Sequence, residues 1–444
     1  MVISVLAISS CVAIALVSTP AVLSILVVAA PLATFAHLDL RLAQGIPSVS
    51  LVRATASFLA LLILLQINAG SRAWPRLRPL DLALLAATVG IALSVTRSIE
   101  LVRSAQVFFD AYLIPFMMYF LARNLIRDRV WLTAITVALV IVGLYLAILT
   151  THQQLTGVGL LVPAGELADR YSQNLGRSTV VFGNSAISGA LLAMIFPITL
   201  VLLLDSSGPV RKILLAASLV IIGVGLFYTY TRAAWVASFV SLMVLQYFYP
   251  RLRRISIPIL ILAGIAAVLT WNQLSSSTLF IERITSQGPI QGRSSLLELG
   301  FGFFRENPVW GIGFDNFRQI TRLWNMTDIE NTHNSFMFIL VSAGLVGLLP
   351  YFTAFLLMLK EIIRGIRLLS SVGRKHLMAT LTAAFVAYLA NALVIDMVSA
   401  PYVSMVFFIV VGAHLGYMDR ASSREAAFEK EPIWERASPL RASA

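Results

Sequence analysis

Apolar runs of around twenty residues recur from end to end of this chain, each long enough for a helix to cross a hydrocarbon core of ~30 Å. The runs do not alternate as the strands of a membrane barrel would, and backbone polar groups in lipid need internal partners, so helices are predicted. The predicted spans are 2–17, 21–37, 50–69, 80–96, 105–122, 131–150, 183–204, 213–230, 233–249, 255–271, 335–359, 377–397 and 402–419. Pro20 breaks the first pair, which makes either two crossings or one crossing and a shallow hairpin. The expectation is an all-α integral membrane protein of about 12 transmembrane helices over residues 1–419. One interruption is long: residues 272–333 are polar and lie between two apolar runs. Residues 420–444 are polar, of mixed charge and without an apolar period, so a disordered tail is expected there.

Hydrophobic residues make up 58% of the 444 and charged residues 12%, against about 25% charged in a soluble domain. The lone cysteine, Cys11, excludes an internal disulfide. A net charge of +12 raises the question of nucleic acid, but the basic residues are scattered through the inter-helix loops, and no nucleic-acid partner is expected. In a bilayer such a surplus sets orientation instead. Of the 33 basic residues, 21 fall in alternate loops around 72–78, 123–129, 211–212, 251–254 and 360–375 and in the tail, which are therefore read as cytoplasmic. Ten fall in the opposite set, so the 272–333 loop faces outward.

All ten outward cations are arginine, whose planar fork of donors suits phosphate oxygens better than the point charge of lysine. Arg232 stands in Tyr230-Thr231-Arg232-Ala233-Ala234-Trp235, between two apolar runs with almost no loop. An ionisable group there is costly unless used, so it is a candidate phosphate ligand; the alternative is a cation snorkelling at a helix end. Small Ala233 and Ala234 would let a neighbouring helix come close. Arg177 precedes Phe182-Gly183-Asn184 at the start of a span, and Arg283 and Arg293 lie in the long loop. After them an apolar-rich stretch, 296–304, suits a helix lying on the bilayer surface. Gly311 and Gly313 then suit a tight turn. His333 sits where the outward loop re-enters the membrane, and imidazole accepts a proton near neutral pH. Gly344 and Gly347 follow on one side of the next helix, where small residues permit close packing. Asp110 and Asp396, in or beside apolar runs, are read as buried partners of an arginine or as proton sites. The His-x-x-x-His and Glu-x-x-His spacings are missing, so neither a metal nor another cofactor is expected.

His333-Asn334, then Gly344 and Gly347, together with Thr231-Arg232-Ala233, Pro308-x-x-Gly311-x-Gly313 and Arg177 ahead of Phe182-Gly183-Asn184, resemble the O-antigen ligase and polysaccharide polymerase family of bacterial membrane glycosyltransferases. The likeness covers about 170–410; the family's usual Pro-Asn pair reads Asn184-Ser185 here. The resemblance implies a GT-C-like helical protein of the cytoplasmic membrane with its active site toward the periplasm. It implies metal-independent, inverting transfer of a glycan from an undecaprenyl-diphosphate carrier to an acceptor glycan or glycolipid. His333 would be catalytic; Arg232, Arg177, Arg283, Arg293 and Asn334 would contact substrate; Gly311, Gly313, Gly344 and Gly347 would be structural. The rival reading is a secondary transporter with Asp110 or Asp396 as coupling site.

Overall fold

The computed structural model describes residues 2–35, 48–73, 75–160, 178, 181–254, 265, 268–269, 288–323, 332–369 and 375–430. Among these the secondary structure is helical, without strands. The helices are α1 Val2–Val17, α2 Thr19–Phe35, α3 Leu51–Asn68, α4 Pro79–Val95, α5 Leu101–Leu125, α6 Arg129–Thr156, α7 Ser185–Asp205 and α8 Pro209–Tyr228. They continue with α9 Arg232–Phe248, α10 Gly288–Glu306, α11 Asn316–Leu323, α12 Ser335–Leu369, α13 Lys375–Ala392 and α14 Pro401–Lys430. Among the described residues α3, α5, α6, α7, α8, α12 and α14 are long and apolar enough to cross a membrane; α4 and α9 are shorter apolar helices. The expected span 255–271 lies almost wholly outside the described residues, as do Arg177 and Arg283. α14 continues to Lys430, so the first part of the expected disordered tail is helical.

Local sequence explains where several helices begin. Ser50 Oγ accepts the Arg53 N–H at 3.2 Å ahead of α3, and the Asn184 side chain accepts the Ala186 N–H at 2.8 Å ahead of α7. At α4 Pro79 takes the first turn, where its missing N–H costs nothing, and Asp81 accepts the Arg78 N–H at 2.6 Å.

α14 is the central post, with 83% of its span buried, whereas α8 is a rim helix with 22%. Gly412 and Gly416 let α14 press backbone-close against α5, because a Cβ at either would collide with the carbonyl oxygen of Tyr119 or Arg123. At one end of this contact Arg123 binds Asp81, and binds Asp419 at 3.3 Å. Arg78 binds Asp419 as well, and reaches Glu361 of α12 at 3.3 Å. The buried carboxylate of Asp81 is thus paired, which its burial demands.

At the opposite end of α12 the chain is broken. Gly344 has φ +61° and ψ −156°, a conformation nearly confined to glycine. The break would strand backbone groups in apolar surroundings, so a loop supplies their partners. Ile312 and Gly313 donate to the Val341 and Ser342 carbonyls at 2.9 and 3.0 Å, while Leu345 and Val346 donate to Pro308 and Val309 at 2.9 and 3.2 Å. Gly311, with φ +67°, sits so close that a Cβ would lie 2.5 Å from the Val341 oxygen. Gly344 and Gly347 therefore act differently from the shared packing face expected of them. Gly344 breaks the helix, and Gly347 faces Gly90 of α4, where an added Cβ would lie 3.2 Å from the Gly347 Cα.

The stretch 296–304, expected on the bilayer surface, forms part of α10. It buries Leu296 and Phe303 against Phe317, Met337, Leu340 and Val341, leaving Phe301 exposed. On that face the helix packs against the start of α12.

Candidate active site

The broken end of α12 gathers the residues that carry chemistry. Asn334 caps the helix: its carbonyl accepts the Phe336 and Met337 N–H groups at 2.9 and 3.0 Å, and its amide donates to the Leu393 carbonyl at 2.9 Å. The structure thus gives Asn334 a capping role. Ser335 donates to the Ile395 carbonyl at 3.1 Å and accepts the Met397 N–H at 2.9 Å. Thr332 donates to Asp396 at 3.4 Å. The segments 332–335 and 393–397 are therefore stitched together on both sides of His333.

His333 itself is exposed, with φ +51°, a left-handed conformation costly for a non-glycine residue. The bonds of Thr332, Asn334 and Ser335 hold the backbone that strains it. The result is an imidazole presented outward from a rigid ledge, which is what a general base requires.

Beneath it Asp396 is buried and accepts the Val398 N–H at 3.3 Å as well as the Thr332 hydroxyl. Burial pushes its carboxyl up to about 8, against the opposing pull of those two hydrogen bonds. Near neutral pH it therefore holds a proton for most of the time.

Arg232 opens α9. Ser241 of α9 donates to the Ala383 carbonyl of α13 at 2.8 Å, and Lys375 at the start of α13 lies 5.2 Å from the ring of Tyr249 just past α9, so the two helices run antiparallel and Arg232 stands at the level of the 393–397 loop. The preceding turn is pinned by Trp235, which stacks on Phe227 at 5.5 Å and donates to the Leu226 carbonyl at 3.0 Å. Ala234 is fully buried, and a Cβ on Gly189 of α7 would come within 3.0 Å of it. The close approach expected from Ala234 is therefore present. Among the described residues no hydrogen bond or ion pair engages the half-buried Arg232 guanidinium.

The other arginines expected to face outward divide. Arg97 donates to the Gly311 carbonyl at 3.0 Å, and Arg318 and Arg103 reach Asp315 at 3.2 and 3.9 Å. These three hold the 311–318 turn, and a Cβ on Gly313 would lie 2.6 Å from the Arg97 carbonyl oxygen. Arg293 falls within α10.

Sequence reading assigned no role to Arg53. It grips Asp110 with two parallel bonds of 2.7 and 2.5 Å and also donates to the Ser48 carbonyl at 2.5 Å. A π-helical turn at Phe109–Leu113 carries Asp110. This confirms the reading of Asp110 as an arginine's partner. The only available signal was a cation inside an apolar run. Arg53 stands between two cavities. One, of about 200 Å³, runs to Pro401 and Tyr402, and Tyr402 stacks on Phe182 at 5.6 Å. The other, of about 610 Å³, is an apolar groove between α3 and the start of α5, lined by Val49, Ala54, Leu101, Val102, Ala105 and Phe109.

No curated protein matches the chain. Residues 216–352 match the family model described as O-Antigen ligase, a stretch that contains Arg232, His333 and the glycines of the broken helix. Over that stretch the chain is similar to the O-antigen ligase family of polysaccharide biosynthesis, and its described apolar helices include seven long enough to cross a membrane.

Proposed function

We propose that this protein transfers a glycan from undecaprenyl diphosphate to the hydroxyl of an acceptor glycan or glycolipid, at the periplasmic face of the bacterial cytoplasmic membrane. The architecture expected with it is GT-C-like. The observation that supports the proposal is that a rigidly held His333 and an Arg232 unpaired among the described residues both stand by the 393–397 loop, with an apolar groove rimmed by Arg53 in the same protein. The groove suits the isoprenoid tail, and the arginines suit the diphosphate. Arg177, Arg283 and Arg293 would add to the same anion site.

His333 takes the proton of the acceptor hydroxyl as its oxygen attacks the anomeric carbon. The new carbon–oxygen bond forms as the bond from that carbon to the phosphate oxygen breaks, in one displacement that inverts the centre. Undecaprenyl diphosphate leaves with the bonding pair, and guanidinium charge stabilises it without a metal. An O-antigen ligase and a polysaccharide polymerase share this step and differ in acceptor. The transporter reading is weaker because Asp110 is already held by Arg53 in a two-bond pair.

The test is reconstitution in liposomes with an undecaprenyl-diphosphate-linked oligosaccharide and a panel of acceptor glycolipids. Release of undecaprenyl diphosphate matched by acceptor extension is expected. Intact donor together with proton-coupled solute uptake would favour the transporter and overturn the proposal.

A further inference from the structure

The end of the bundle away from His333 carries a second cavity that the proposed transfer does not use. It measures about 390 Å³, and its lining includes Arg76, Arg123, Arg127, Arg420, Asn124 and Asp419. Its floor is backbone, because Gly416 brings α14 against α5 without a side chain between them.

The charges here do not balance within the protein. Arg123 and Arg78 take up Asp81 and Asp419, and Arg420 reaches Asp128 at 3.6 Å. Arg76 and Arg127 are exposed and have no carboxylate partner among the described residues. Behind them Arg72 is held by neutral groups alone, donating to the Asn124 carbonyl at 2.7 Å and the Gln66 side chain at 3.4 Å. Burial and the nearby Arg127 charge both lower the Arg72 pKa, the mark of crowded like charges. An anion in the cavity would relieve that crowding and accept from forked donors on two sides.

The surroundings select which anion. Leu77 and Val130, next in the chain to Arg76 and Arg129, are 60% and 72% exposed. Apolar side chains beside arginines at the end of membrane-crossing helices mark the level where a lipid headgroup meets its acyl chains. We propose that this cavity binds the phosphate headgroup of an anionic phospholipid from the leaflet opposite the candidate active site.

The test uses the full-length protein, delipidated in neutral detergent and titrated separately with phosphatidylglycerol, phosphatidylethanolamine and inorganic pyrophosphate, with binding read by native mass spectrometry. Phosphatidylglycerol should bind about tenfold more tightly than phosphatidylethanolamine. Each arginine near a phosphate is worth roughly a fivefold change, so Arg127→Gln should weaken binding about fivefold and Arg76→Gln with Arg127→Gln about thirtyfold. Both side chains lie outside the buried ion network, so these variants should keep the wild-type melting temperature. Removing two charges elsewhere at the same end, Lys360→Gln with Arg367→Gln, should change binding by less than about twofold. Equal binding by wild type and the cavity variants overturns the site. An equal loss in the control pair shows a diffuse charge effect and overturns it too. Saturable pyrophosphate binding without preference for phosphatidylglycerol assigns the cavity to a soluble phosphate compound and overturns the lipid. No glycan donor is present, so the outcome is independent of the transfer reaction.

Discussion

Replacing Gly344 by alanine tests whether the broken helix is what holds the candidate site. The added Cβ would lie 2.5 Å from the Val309 carbonyl carbon and 2.7 Å from the Gly311 nitrogen, and would collide with the Val309 oxygen. All three are backbone atoms, so no side chain can swing away. The dihedral region alone costs about 1–3 kcal/mol for a non-glycine residue. Relief of the clash would pull the 308–313 loop off α12 and weaken the bonds from Leu345 to Pro308 and from Val346 to Val309. At about 0.5–1.5 kcal/mol net for each, the total destabilisation is about 2–6 kcal/mol. The assay is thermal unfolding in detergent beside glycan transfer in liposomes, with Gly302→Ala as the control. Gly302 is exposed in α10 with nothing near its prospective Cβ, so alanine there should be neutral or slightly stabilising. Gly344→Ala should melt well below wild type and lose transfer. Equal melting of the Gly344 and Gly302 variants would refute the reasoning, since it would mean that the break can straighten at no cost.

His333→Gln should leave a stably inserted protein that still binds the lipid-linked donor, with transfer down by roughly 10²–10⁴-fold in single-turnover assays; parallel loss of donor binding would make the imidazole a substrate contact instead. Arg232→Lys should lose most transfer although the charge remains, because lysine lacks the two-pronged grip on phosphate; near-normal rates in a well-expressed variant would reduce Arg232 to a snorkelling cation. Asp396 rises from 3.8 to about 8 on folding, so between those values the folded chain holds a proton that the unfolded chain has released, and stability falls as pH rises through that window. Melting curves of Asp396→Asn from pH 5 to 8 should therefore be flatter than those of wild type, and parallel curves would remove Asp396 as the source.

The helices were legible because hydrophobic run length is a one-dimensional signal. Apart from α10 and α11, which lie inside the long polar interruption, the described helices fall on the predicted spans, and the ends at Pro79 and Asn184 carry local caps. His333-Asn334, Thr231-Arg232 and the glycines were legible as motifs, but their mechanical roles were not. Nothing local distinguishes a glycine that packs from one that breaks: Gly344 and Gly347 look alike in sequence, and only the loop bonded to one and Gly90 facing the other separate them. The Arg53–Asp110 pair was harder still, since its partners are 57 residues apart. The same holds for Arg78, which meets Asp419 and Glu361 only because α4, α12 and α14 end at one level.

Strained turns gather at one end of this bundle, and the ion network around Asp81 and Asp419 ties the other. The non-glycine residues with positive φ among those described are Val181, Tyr230, Asp315 and His333. Each adjoins a motif: Val181 precedes Phe182-Gly183-Asn184, Tyr230 precedes Thr231-Arg232, Asp315 follows Gly313, and His333 begins the broken helix. Such conformations persist only where the surroundings over-determine them, and here the capping bonds of Asn334, the Trp235 stack and the Asp315 ion pairs do so. At the other end the chain is held by the ion network around Asp81 and Asp419, where the backbone is regular helix. A bundle tied firmly at one end can carry strained turns at the other without unfolding them. It follows that loosening the tied end, as Asp419→Ala would, should lower stability while leaving the His333 ledge, built from 332–335 and 393–397, with its own bonds intact.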